Sequence, residues 1–138
     1  NRKMLDEVLL QIQDYEAQLD QLSYSELHHA IIQTLQNDAR HVQLVRELDH
    51  AIFENEDLQS MEKEHAENLA QFYRRVLNHY GSKWPAQRLL NTGRLLYQML
   101  NFGLYDMVDL SAEDRKESME LLNMALLEIA AQALGKQP

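Results

Sequence analysis

The chain has 138 residues, 45% of them hydrophobic, with four glycines, two prolines and no cysteine. That length suits one domain with one core; the few turn residues leave little room for a β architecture, and the missing thiols exclude disulfides and thiolate chemistry. A formal charge of −9 opposes nucleic-acid binding by these residues, since phosphate contact is carried by Lys and Arg.

In chain order, Leu5, Val8, Leu9, Ile12, Tyr15, Leu19 and Leu22 keep the three-and-four spacing of one buried helical face. Ser23 and Glu26 form a capping box for a second helix whose inner face is Tyr24, Leu27, His28, Ile31 and Leu35. Asn37-Asp38 restarts the pattern for a third helix burying His41, Leu44, Val45, Leu48 and Ile52. Asn55-Glu56-Asp57 opens a long fourth helix with Leu58, Met61, His65, Leu69, Phe72, Val76 and Tyr80 inward. Gly81 ends it, and Pro85 suits the first turn of a fifth helix that runs to about Val108. Ser111 with Asp114 caps a sixth, which Gly135 closes. No strand signal or internal repeat interrupts this, so the expectation is an all-α, six-helix bundle forming a single domain over 1–138. No apolar run reaches the length of a membrane span and no signal segment opens the chain, which points to a soluble, cytoplasmic domain with no membrane partner. The opening Asn1-Arg2-Lys3-Met4-Leu5 enters an amphipathic pattern without an N-cap, and reads as a cut near the start of a helix in a longer polypeptide.

The last two helices are poor in charge. From Ala86 to Tyr105 the ionic side chains are Arg88 and Arg94, and from Met119 to Leu134 they are Glu120 and Glu128. A helix apolar around most of its circumference must be covered on more than one side. Gln87, Asn91, Arg94, Gln98, Asn101 and Tyr105 add a stripe of mostly uncharged polar groups, suited to a partner helix or a ligand cavity. The expectation is that these helices pair with those of a second copy in an intermolecular four-helix bundle, a homodimer. The residues assigned to that interface are Leu90, Asn91, Arg94, Leu122, Leu126, Ile129 and Ala133.

Glu-x-x-His occurs at Glu26/His29, Glu47/His50 and Glu62/His65, the spacing that places two ligands on one helix face in di-iron bundles. Only Glu62/His65 faces inward, so no metal site or cofactor is expected, although a ferritin-like metal-binding bundle stays open as an alternative. The inward histidines, together with the aromatic and amide side chains of the fourth and fifth helices, fit a mostly apolar cavity with a few placed polar groups. Its lining is assigned to His28, His65, Phe72, Tyr73, Tyr97, Gln98, Asn101 and Tyr105, for a small-molecule effector. No catalytic residue is indicated: there is no Gly-rich phosphate loop or nucleophile elbow, and the serines lie at caps or on polar faces. A helical interaction module without any ligand is the other alternative.

Asn37-Asp38-Ala39-Arg40-His41 leading into Leu44-Val45-Arg46-Glu47-Leu48, the Asn55-Glu56-Asp57-Leu58 start, and the long helix through Phe72-Tyr73-Arg74-Arg75-Val76-Leu77 form one run of features. Leu95-Leu96-Tyr97-Gln98-Met99-Leu100 and Met119-Glu120-Leu121-Leu122-Asn123-Met124-Ala125-Leu126-Leu127 form the closing pair. In helix order and loop style, across essentially the whole chain, this resembles the C-terminal effector-binding and dimerisation domain of TetR-family transcriptional regulators. The resemblance implies a homodimer held by the last two helices, a ligand cavity among the preceding ones, and DNA contact only through an N-terminal helix-turn-helix that this sequence does not contain. It names neither the effector nor whether the parent protein represses or activates.

Overall fold

Five helices make up the computed structural model, which describes residues 2–37, 47 and 55–136: α1 (Arg2–Ala17), α2 (Tyr24–Asn37), α3 (Glu56–His79), α4 (Ala86–Met107) and α5 (Ala112–Leu134). No strand occurs among the described residues. The fold is therefore all-α. The further helix expected around 41–52 lies, Glu47 apart, outside the described residues, and the count within them is five rather than six.

Helix ends fall where the polar punctuation puts them. The Ser23 N–H donates to Glu26 Oε1 and the Glu26 N–H donates to Ser23 Oγ, each at 3.1 Å, so two amides that the first turn of α2 would leave orphaned satisfy each other's side chains. Ser23→Ala is expected to lower stability by about 1 kcal/mol, read as a shift of the urea midpoint at unchanged slope. Asn55 Oδ1 accepts from the N–H groups of Asp57 and Leu58 at the start of α3, and Ser111 Oγ accepts from Asp114 at the start of α5. At the end of α3 the chain turns through Gly81 at φ 98°, with Gly81 N–H on Asn78 O and Ser82 N–H on Leu77 O. That pair of bonds is the Schellman motif, whose left-handed residue favours glycine. Pro85 lies just ahead of α4 and not within its first turn.

The cross-links fix how the helices run. Arg75 Nε donates to Glu16 at the end of α1 at 2.9 Å, and His79 Nε2 lies 3.3 Å from Asp20 Oδ1 in the turn that follows, so the end of α1 lies against the last turns of α3. Tyr97 pairs with Glu62 and Arg94 with Glu67, so α3 and α4 are antiparallel. Tyr80 Oη reaches the Leu22 carbonyl at 2.7 Å and the Leu19 carbonyl at 3.3 Å, tying the end of α3 to the α1–α2 turn. At the near end of the α4–α5 hairpin Gly103 abuts Leu122, and at its far end Ser82 Oγ donates to the Ala133 carbonyl at 2.7 Å.

The result is an inner layer behind the α4/α5 hairpin: α3, which packs on α1 as well as on α4 and α5, and α2, which reaches α5 through His28. Leu27, Val76, Leu77 and Leu96, one or two from each of α2, α3 and α4, are the most deeply buried large side chains. On α2 the buried face includes Ile32, while Ile31 is only half-buried, a small rotation from the face read off the sequence. No helix among the described residues is long and apolar enough to cross a membrane.

Candidate functional site

Two features stand out from this scaffold: polar and aromatic groups held between the layers, and an apolar outer face on the α4/α5 hairpin.

Between α3 and α4, Tyr97 is buried and its hydroxyl donates to Glu62 Oε1 at 2.8 Å, while the His65 ring meets the Tyr97 ring edge to face at 5.6 Å between centroids. Glu62 and His65 stand three apart on α3, on one helical face, and the antiparallel α4 brings Tyr97 opposite both. A carboxylate, an imidazole and a phenol thus meet at one place. Their arrangement can accept and donate hydrogen bonds beside an aromatic surface, which is the chemistry of ligand recognition. Half-buried Asn101 and Tyr105 follow one and two turns further along α4.

A second group joins α2 to α5. His28 is 8% exposed, stacks on Tyr24 at 6.5 Å and has Nε2 3.0 Å from Asn123 Oδ1. That nitrogen therefore carries the proton and donates to the amide oxygen. Burial lowers the His28 pKa, an effect that Asn123 opposes and the neighbouring His29 reinforces. Tyr24 packs edge-on against Tyr80 at 6.0 Å. Burial raises the Tyr24 pKa strongly, with the Tyr73 and Tyr80 hydroxyls adding to it, and pushes Tyr73 up to about 12. These phenols stay neutral donors throughout the physiological range.

The eight residues expected to line one cavity are thus dispersed. His65 and Tyr97 come together. Phe72 and Tyr73 are buried core side chains with rings 5.7 Å apart. His28 belongs to the α2–α5 seam, where a nitrogen expected to face a ligand is bound to Asn123. Gln98 is exposed, because it lies one residue, about 100° of helix, beyond the inward-facing Tyr97. Sequence reading placed Glu62 beside His65 on the inward face but missed its pairing with Tyr97, and it missed Asn123 altogether. The available signal for Asn123 was a lone amide within the apolar run 121–127.

The outer face also differs in register from the interface expected. Leu126 and Ala133 are 3% exposed and belong to the chain's own core, and Leu122 and Ile129 pack against it half-buried. Leu90 is half-buried, Asn91 accepts from Gln87 and Arg94, and Arg94 also pairs with Glu67 at 3.3 Å. Among the described residues the large apolar side chains of α4 and α5 that remain in solvent are Leu95 (47%), Phe102 (59%), Leu121 (59%) and Met124 (67%). Leu95 lies two residues past Gly93, which touches α3, and Leu121 two before Asn123, which touches α2. Each is about 200° around its helix from the inner layer, so both point outward. Since Gly103 meets Leu122, their neighbours Phe102 and Leu121 emerge at one level on adjacent helices.

Among the described residues no three or more His, Asp or Glu side chains converge as a metal site would require. Comparison of the chain with known protein families, curated proteins and solved structures gave no match.

Proposed function

We propose that this chain is the effector-sensing and dimerisation domain of a TetR-like transcriptional regulator, a cytoplasmic homodimer that binds DNA only through an N-terminal reader joined to α1. The observation that carries the reading is the outer face of the α4/α5 hairpin. Four large apolar side chains there, Leu95, Phe102, Leu121 and Met124, are about half exposed or more, and large apolar groups left in water on adjacent helices support an interaction site. The face is formed by two antiparallel helices, the half-bundle that a twofold copy completes.

The effector, a small molecule, belongs at Glu62, His65 and Tyr97. A ligand wedged there displaces α3 relative to α4. Because α3 grips α1 through Arg75 on Glu16, and the turn after α1 through His79 on Asp20, the displacement reaches the helix that leads to the reader. Binding then shifts the population between two spacings of the DNA-reading heads, and half-sites one helical turn apart make a few ångströms of change sufficient. Sedimentation velocity at micromolar concentration tests the reading: a species of twice the 16.2 kDa chain mass is expected, and a monomer overturns it.

A further inference from the structure

The α2–α5 contact is polar where its surroundings are not. His28 is one of the few polar side chains buried among the described residues, and it spans to Asn123 on the closing helix. On α5 Asn123 is flanked by buried Met119 and Leu126, while the charged Lys116 and Glu120 on that helix are exposed. Tyr73 of α3 and Tyr80, just past its end, act on Tyr24, the ring stacked on His28. From the α1–α2 turn Asp20 acts on Tyr80, as does Glu26 of α2, and Tyr15 of α1 hydrogen-bonds Thr34 further along α2. Among the described residues the influences on the His28 ring are its burial, the Asn123 amide and the adjacent His29.

We infer that the His28–Asn123 contact is a proton-sensitive latch, which holds α2 against α5 while the ring is neutral and lets α2 separate when the ring takes up a proton. A neutral imidazole donates one N–H to Asn123 Oδ1 and needs little else. Protonation puts a full charge and a second N–H donor into a site of phenols, aliphatic groups and one amide, and the adjacent His29 further opposes that charge. The charged ring regains water most directly by leaving the seam. The sign follows from the direction of the shift. A closed-state pKa below that of the open, hydrated ring, about 6.5, means that the latch is fully closed above pH 6.5 and weakens as pH falls from there towards the closed-state pKa. For one proton the open fraction then grows up to about tenfold per pH unit. The latch is independent of any dimer or effector, so its failure and that of the proposed function are separable.

The test is hydrogen exchange of the intact chain at pH 7.5 and 5.5, corrected for intrinsic exchange rates. Protection within 24–34 and 119–127 is expected to fall, by up to about tenfold, with the α3–α4 contact keeping its protection. In His28→Gln, whose amide also donates to Asn123 but does not titrate, that fall is expected to vanish. In Asn123→Asp, a carboxylate facing the ring favours its charged form, and the trend is expected to reverse, protection rising from pH 7.5 to 5.5. Equal loss of protection over all helices, no loss in the seam, or an unaltered pH response in either variant overturns the latch.

Discussion

Phe102→Glu is expected to give a folded, helical monomer under conditions where the unaltered chain is a dimer. Phe102 is 59% exposed on the outer face beside Leu121, so its replacement removes little from the chain's own core, and a carboxylate there is solvated in the monomer. At a twofold interface the change occurs twice, because the same patch is used by both copies. Losing a buried aromatic anchor typically weakens association by about 2 kcal/mol, and two of them by about 4 kcal/mol, or roughly a thousandfold in Kd. The two introduced carboxylates, desolvated close to the axis, add to that. Leu10→Glu is the matched control: Leu10 is 65% exposed on α1, away from the hairpin, and its substitution is expected to leave the dimer intact. Sedimentation equilibrium over a hundredfold concentration range distinguishes the two. A Phe102→Glu chain as dimeric as the parent removes the outer face from the interface, and a Leu10→Glu monomer moves the interface to α1.

The helix termini and most inward positions were legible because each depends on local chemistry. Ser23 with Glu26, Asn55, Ser111 and Gly81 satisfy or terminate their own turns, and a reader of the sequence needs no distant partner to see it. His65 and Tyr97 were recognisable as inward residues on neighbouring helices. Glu62 was recognisable on the same inward face as His65, but its bond to Tyr97, 35 positions away, was not. The outer face was illegible for a different reason. α5 is apolar on nearly every side, so its periodicity does not say which stripe meets the chain's own core and which is left over. The stripe through Leu126 and Ala133 is consumed by α4 and the inner layer, leaving Leu121 and Met124 outside. The seam at His28 depends on a side chain 95 positions away, a pairing no local pattern encodes.

Gly93→Ala poses the sharpest energetic test of how the inner site is held. In an exposed helix interior the change favours folding by about 1 kcal/mol, because alanine loses less backbone entropy. Here a Cβ built on Gly93 falls 2.4 Å from the carbonyl oxygen of Ala70 and 3.1 Å from Tyr73 Cβ. The oxygen belongs to the backbone of α3 and cannot rotate aside, so relief requires the two helices to separate along the most extensive helix–helix contact among the described residues. Overpacking of that kind costs typically about 1–3 kcal/mol, and a clash with main chain places it at the upper end. The net expectation is a loss of about 1–2 kcal/mol, a melting temperature lower by roughly 4–8 °C, with Gly93→Val losing more. Gly103 supplies the contrast: its added Cβ would meet Leu122 Cδ2 at 2.8 Å, the tip of a flexible side chain on a half-buried residue. Gly103→Ala is therefore expected to be neutral or to stabilise by up to about 1 kcal/mol. If thermal melts show both substitutions stabilising, α3 and α4 do not approach as closely as Gly93 permits. Close approach is also what lets the Tyr97 hydroxyl reach Glu62 one helical turn further along, so Gly93→Ala should weaken that bond as well as the fold, and a ligand held by Glu62, His65 and Tyr97 should bind less tightly to the variant.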